Sequence, residues 1–349
     1  MLAYIHIGCE KTGTTSIQAF LDANAGTIRA AGWALPESGW FPNTTRLALS
    51  CMERGKSDPD TARLDRQDRK RGGGHWREDV WTAVGEELAS DATPARCIVV
   101  SSEYFQAKLE SEEEIALLKR RFEDVGASGF RIVVYLRRQV EYAISRYSTA
   151  LRAGYSRRDI LPEQLGDGNA LFNYDTLLER WSAAFGAGAV DVRLYDHARL
   201  ENGNVIDDFV RAIELPVDPA SVLRPPRQNT GLPIAAQLAI RALNEALETK
   251  GVPRDESVKL RRDVIARLLE RTEGGSLSPS RRQAIEFQSR FDASNGRVAR
   301  KWFARERLFD DVFDYPDDEH ERDTLEHVTS AFAHSIVDAL EVRPGTGAR

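Results

Sequence analysis

The chain has 349 residues, 42% hydrophobic and 29% charged, enough apolar material for a sizeable core in an ordinary water-facing protein. Its formal net charge of −6 argues against a general pull toward nucleic acid or anionic membrane, and no apolar run approaches membrane-spanning length. Three cysteines, Cys9, Cys51 and Cys97, lack ligand-like spacing and leave one unpaired, which suits a reducing compartment and predicts a cytoplasmic protein.

Residues 2–7 form a short apolar run that stops at Gly8 and predict a buried strand. A loop follows, Cys9-Glu10-Lys11-Thr12-Gly13-Thr14-Thr15-Ser16, and a helical pattern begins at Ile17. Strand, hydroxyl-rich loop and helix N-terminus together make an anion site, because backbone N–H groups and the positive dipole end converge there. Lys11 adds a charge, and Thr12, Thr14, Thr15 and Ser16 add hydroxyl donors. The predicted ligand is a phosphate or sulfate ester. The spacing of Gly8 and Gly13 matches the nucleotide triphosphatase loop, but Thr14 stands where that loop has its lysine. The departure argues against an ATP- and Mg²⁺-dependent enzyme.

Farther along, Trp33 and Leu35 mark a short extended piece. Residues 52–75, with balanced charges and a glycine triplet before His75, predict a mobile surface loop. A helix is expected over 76–90, then a buried strand from Cys97 ending in Ser101-Ser102-Glu103, then a helix over 111–123. The apolar run Phe130–Leu136 predicts another buried strand, and Val140, Ile144 and Tyr147 give helical spacing after it. Asp191–Leu194 reads as a strand ending at Tyr195. Such alternation predicts an α/β fold with a parallel β-sheet flanked by helices, a three-layer sandwich with ligands at the carboxyl ends of the strands. Residues 1–231 are expected to form this core, and 232–349 a helical C-terminal region packing on it. In that region His320, His327 and His334 recur every seven residues, the wrong spacing for a helical metal site. The basic and aromatic segment Asn295–Arg305 reads as an ordinary packed helix.

The loop resembles that of sulfotransferases dependent on 3′-phosphoadenosine 5′-phosphosulfate (PAPS), in which K-[TS]-G-T-[ST] cradles the 5′-phosphosulfate. In that family a strand ends in an arginine and a serine follows eight residues later, together binding the 3′-phosphate. Arg137 and Ser145 have that spacing here. Tyr195 resembles the tyrosine near the adenine, and Arg227, in Arg-Gln-Asn-Thr-Gly, resembles a late loop that returns to the cofactor. The resemblance implies a PAPS-dependent sulfotransferase that uses no metal, releases 3′,5′-adenosine bisphosphate and sulfates a hydroxyl of a carbohydrate, lipid-linked sugar or small alcohol. Lys11 is the expected electrostatic catalyst. Glu103 is the first choice for general base, with an ion pair to Lys11 or the loop as its competing role, and His75 is the second choice. An ATP-dependent phosphotransferase and a non-catalytic nucleotide-binding module stay open as alternatives.

Overall fold

The computed structural model describes the whole chain except residues 57, 71, 91–94, 219–220, 226–231, 254–255, 271, 273–274, 311–313, 318–328, 330–332 and 334–349. Arg227 and the three late histidines therefore lie outside the described residues.

Five strands are described: β1 (Leu2–His6), β2 (Trp33–Ala34), β3 (Cys97–Ser101), β4 (Gly129–Leu136) and β5 (Val190–Leu194). They pair in parallel in the order β2-β3-β1-β4-β5. The helices between β1 and β3 are α1 (Thr14–Ala23), α2 (Ala25–Ala30), α3 (Thr45–Cys51), α4 (Pro59–Lys70) and α5 (Trp76–Ser90). Next come α6 (Tyr104–Lys108), α7 (Glu112–Asp124), α8 (Gln139–Arg152), α9 (Tyr174–Phe185) and α10 (Val205–Ala212). The last described helices are α11 (Ile234–Thr249), α12 (Val258–Leu269), α13 (Arg281–Ser289) and α14 (Asp292–Phe303). The parallel α/β sheet flanked by helices is the architecture expected from the sequence.

β1 is central because both of its faces are apolar. Tyr4, with Val99, Val133 and Tyr135, packs against Ile17, Phe20 and Leu21 of α1 and Val205, Ile206 and Phe209 of α10. The alternate residues Ile5, Val100, Ile132 and Val134 are equally buried, and α9 lies against β4 and β5. The chain leaves β1, forms β2 and β3 on one side of it, then crosses to β4 on the other. That reversal lies at the end of β1, the place where ligands of such sheets commonly bind.

Packing divides the chain into two units. Met1–Arg137, Asp167–Gln228 and Ala293–Leu308 form the sheet unit; Arg138–Gly166, Asn229–Asp292 and Phe309–Arg349 form the other. Within the sheet unit, Arg297 and Lys301 of α14 pair with Asp175 (2.6 Å) and Glu179 (2.5 Å) of α9, so the basic and aromatic segment is a packed helix. Within the helical unit, Tyr147, Leu151 and Ile160 pack with Leu238, Ile240 and Ile265. Asn244 there donates to the carbonyls of Leu151 (2.8 Å) and Tyr155 (2.9 Å), satisfying the end of α8.

The charged stretch 52–75 is not simply a loop: Pro59–Lys70 is α4. Its start is fixed by Asp58, whose Oδ1 accepts the N–H groups of Asp60 (2.9 Å) and Thr61 (3.1 Å), with Pro59 at the first helical position. Thr61 and Leu64, three residues apart, form the narrow buried stripe that holds it down. So few apolar positions amid so many charges conceal the helical period.

No helix among the described residues is long and apolar enough to cross a membrane, and no group of three or more His, Cys, Asp or Glu among them is placed to hold a metal ion.

Candidate active site

The loop after β1 is built on three residues in the left-handed region: Gly8 (φ 27°), Lys11 (φ 68°) and Gly13 (φ 82°). Space as well as backbone demands both glycines. A Cβ at Gly8 would lie 2.8 Å from Thr14 Oγ1 and 3.3 Å from His6 Cε1. One at Gly13 would lie 2.8 Å from Val205 Cγ1 and 3.2 Å from the Tyr195 ring. The first helical bond of α1 runs from Ile17 N–H to Gly13 O (3.0 Å), so the N–H groups of Thr14, Thr15 and Ser16 stand before it with no intrahelical acceptor.

The loop hydroxyls are not equivalent. Thr12 is fully buried and donates to the Cys9 carbonyl at 2.6 Å, so its hydroxyl proton closes the loop and is not offered to a ligand. Thr14 is also buried, and among the described residues its Oγ1 has no hydrogen-bond partner. A buried hydroxyl left unpaired costs free energy unless a ligand or water satisfies it. Thr15 is exposed and Ser16 half-buried at the open end of the loop. Cys9 is a packing residue, its thiol pushed up to about 12 by burial and so protonated at neutral pH.

Arg137, the residue after β4, reaches the loop: its Nη1 donates to the Lys11 carbonyl at 3.0 Å. Its guanidinium lies 5.6 Å from the centroid of the Tyr195 ring, and Tyr195 N–H donates to Leu136 O at 2.8 Å. Tyr174 OH donates to the Arg137 carbonyl at 2.6 Å. The ends of β1, β4 and β5 thus bring Lys11, Gly13, Arg137 and Tyr195 together, as parallel register requires. Ser145 is half-buried on α8, in the helical unit. His75 is exposed before α5, where its carbonyl accepts the N–H groups of Glu78 and Asp79. Among the described residues no hydrogen bond or ion pair joins it to the loop.

Glu103 follows the end of β3 and is half-buried. Its partner is Gln18 of α1, whose Nε2 donates to Glu103 Oε2 at 3.2 Å and to Ser101 O at 3.3 Å. Among the described residues Glu103 makes no ion pair with Lys11, the competing role the sequence suggested for it. One carboxylate oxygen is thereby anchored. Gln18 lies one turn after Thr14 on the same face of α1, so it ties the loop helix to this carboxylate. Thr44 Oγ1 donates to the same Ser101 carbonyl at 3.1 Å.

Sequence reasoning missed Gln18, Thr44 and the buried pair His6–Ser101 (Nδ1 to Oγ, 2.8 Å). A histidine inside the apolar run before Gly8 was the available signal. His6 packs against the rings of Tyr135 and Phe209 and forms the floor under Gly8. Burial lowers its imidazole from the ordinary 6.5 to about 3, so it is neutral in the folded protein. From about pH 6.5 down to about pH 3 the unfolded chain therefore binds a proton that the folded chain refuses. Stability rises with pH across that window and is lost on acidification, by at most about 1.4 kcal/mol per pH unit. Between about pH 7 and pH 5, urea unfolding should show wild type losing about 2 kcal/mol more than His6→Asn. Equal losses would show that His6 is not the group responsible.

No protein-family model matches the chain. An uncharacterized protein of Archaeoglobus fulgidus is 31% identical over 216 residues, which are 61% of this chain and 55% of the relative. The chain thus spans about half the length of the curated relative it matches. Among solved structures, a sulfotransferase from Alicyclobacillus acidocaldarius aligns with 77% of this chain and 96% of its own, at 14% identity and a TM-score of 0.39. Superposition that loose has no bearing on function.

Proposed function

We propose that the chain is a PAPS-dependent sulfotransferase acting on a hydroxyl acceptor. The observation that carries this is the convergence on one loop of Lys11, the buried unpartnered hydroxyl of Thr14 and the strand-end guanidinium of Arg137. A nucleotide with anionic groups at both its 5′ and 3′ positions needs two such centres of positive charge. The residues fit it: glycine at positions 8 and 13 keeps the loop open where a Cβ would intrude, and Thr14 Oγ1 lacks a partner among the described residues.

In this reading the backbone of residues 12–16 and the hydroxyls of Thr14, Thr15 and Ser16 hold the 5′-phosphosulfate, Arg137 grips the 3′-phosphate in its planar fork, and Tyr195 faces the adenosine. Ser145 and Arg227 are assigned to the 3′-phosphate by spacing and resemblance alone. The donor supplies a sulfuryl group that passes in line to the acceptor oxygen. Lys11 puts positive charge beside the oxygen that gathers negative charge as the donor bond breaks. Glu103 takes the acceptor's hydroxyl proton at Oε1, while Gln18 holds Oε2 in place. None of these roles needs a divalent cation.

The test is consumption of radiolabelled PAPS in the presence of EDTA, with 3′,5′-adenosine bisphosphate as product. Arg137→Ala should raise the donor KM by about 10- to 100-fold, the loss of a charge-assisted hydrogen bond, with a smaller effect on kcat. Turnover that needs Mg²⁺, or a donor KM indifferent to Arg137, would contradict the reading.

A further inference from the structure

Helix α4 separates its charges by face. Its acidic residues are turned to donors of the protein: Asp60 accepts from Tyr104 OH (2.8 Å), Asp65 from Trp76 Nε1 (2.7 Å) and Asp68 from Trp76 N–H (3.1 Å). Its basic residues Arg63, Arg66, Arg69 and Lys70 are all exposed. Among the described residues the carboxylate partner of this group is a single one, Asp60, 4.0 Å from Arg63 in the same helix. Arg66 donates only to Ala62 O, at 3.3 Å. Arg63, Arg66 and Lys70, three and four apart, line one ridge about 10 Å long at 1.5 Å rise per residue. On a chain of net charge −6 such a ridge is a local reversal of sign.

The helix is fixed to the candidate base. Tyr104, whose hydroxyl holds Asp60, is the residue after Glu103 and begins α6. Lys108 at the end of α6 pairs with Asp58, the residue that starts α4, at 2.5 Å. Burial would raise the Asp58 carboxyl, but the Lys108 ammonium and two backbone N–H groups outweigh it and hold the carboxyl below its usual range. The start of α4 is therefore tied to α6, the helix that directly follows Glu103.

We propose that this ridge docks the acceptor and that the acceptor is an acidic polysaccharide. The inference rests on the sulfotransferase reading, which requires a hydroxyl; the ridge adds the requirement for repeated anionic groups. A single small anion would occupy one cationic side chain, whereas a polymer bearing carboxylates spans the row and engages each charge in turn. Exposed charges of this kind speed encounter and weaken with salt.

The experiment measures binding of alginate, a polymer of uronic acids, with dextran as the neutral control and duplex DNA as a different polyanion, at about 50 mM salt. Wild type should bind alginate and not dextran. Arg63→Gln/Arg66→Gln/Lys70→Gln, all exposed substitutions, should bind alginate about tenfold more weakly, the sum of three exposed charge contacts. Arg63→Lys/Arg66→Lys keeps the charge and should retain most of the affinity. Equal binding by the glutamine variant, equal binding of dextran, or duplex DNA bound as tightly as alginate would overturn the proposal. Adenosine bisphosphate binding, measured separately, distinguishes the two readings. Its absence in wild type would sink the donor assignment, while its persistence in a variant that still binds alginate normally would sink only the ridge.

Discussion

Lys11→Ala is expected to slow sulfuryl transfer by about 10²- to 10³-fold while weakening adenosine bisphosphate binding less than Arg137→Ala does. The lysine stands inside the loop, its carbonyl held by Arg137 at 3.0 Å and its backbone in the left-handed region. Under the proposed function its charge acts most where charge develops on the departing oxygen, a transition-state interaction more than a ground-state one. Alanine at φ 68° keeps the backbone strain of the native residue, whereas glycine removes it. Lys11→Gly should therefore be as slow as Lys11→Ala. Wild-type turnover in Lys11→Gly would show that the ammonium is not what this position supplies.

Gly13→Ala should lose both stability and ligand binding. The residue combines φ 82° with a Cβ position 2.8 Å from Val205 and 3.2 Å from the Tyr195 ring. The left-handed conformation costs a non-glycine residue about 1–2 kcal/mol, and overpacking against α10 about 1–3 more. A loss of about 2–5 kcal/mol follows, read as a lower urea midpoint. Because relief comes by moving either Tyr195 or the loop, bisphosphate binding should fall as well. Unchanged stability would mean that Val205 and Tyr195 do not close on Gly13 in solution.

What could be read in the sequence is what local pattern records. Runs such as Cys97–Ser101 and Phe130–Leu136 announce buried strands because a parallel sheet leaves neither face polar. The glycines, hydroxyls and lysine of residues 8–16 sit on adjacent positions, so their convergence needs no tertiary information. Arg137 and Tyr195 could be placed beside the loop because each ends a strand, and strand ends of one sheet share an edge. The pairs Gln18–Glu103 and His6–Ser101 span 85 and 95 residues and exist only through the register of β1 with β3. Nothing in either segment alone announces them. α4 escaped notice because its buried stripe is Thr61 and Leu64 alone, and its acids are satisfied by Trp76 and Tyr104 from outside the helix. The units are discontinuous because packing assigns α8 to the helices after residue 232, a grouping set by Tyr147 and Leu151 rather than by chain order.

The central claim is that this loop and Arg137 hold a nucleotide phosphorylated at its 3′ as well as its 5′ position. The most direct measurement is calorimetric titration with 3′,5′-adenosine bisphosphate in EDTA, against ADP with and without Mg²⁺. Micromolar binding of the bisphosphate, about −8 kcal/mol, with ADP much weaker, is the predicted result. No heat from the bisphosphate, or tighter binding of ADP once Mg²⁺ is added, would contradict the account and return the loop to the phosphotransferase alternative.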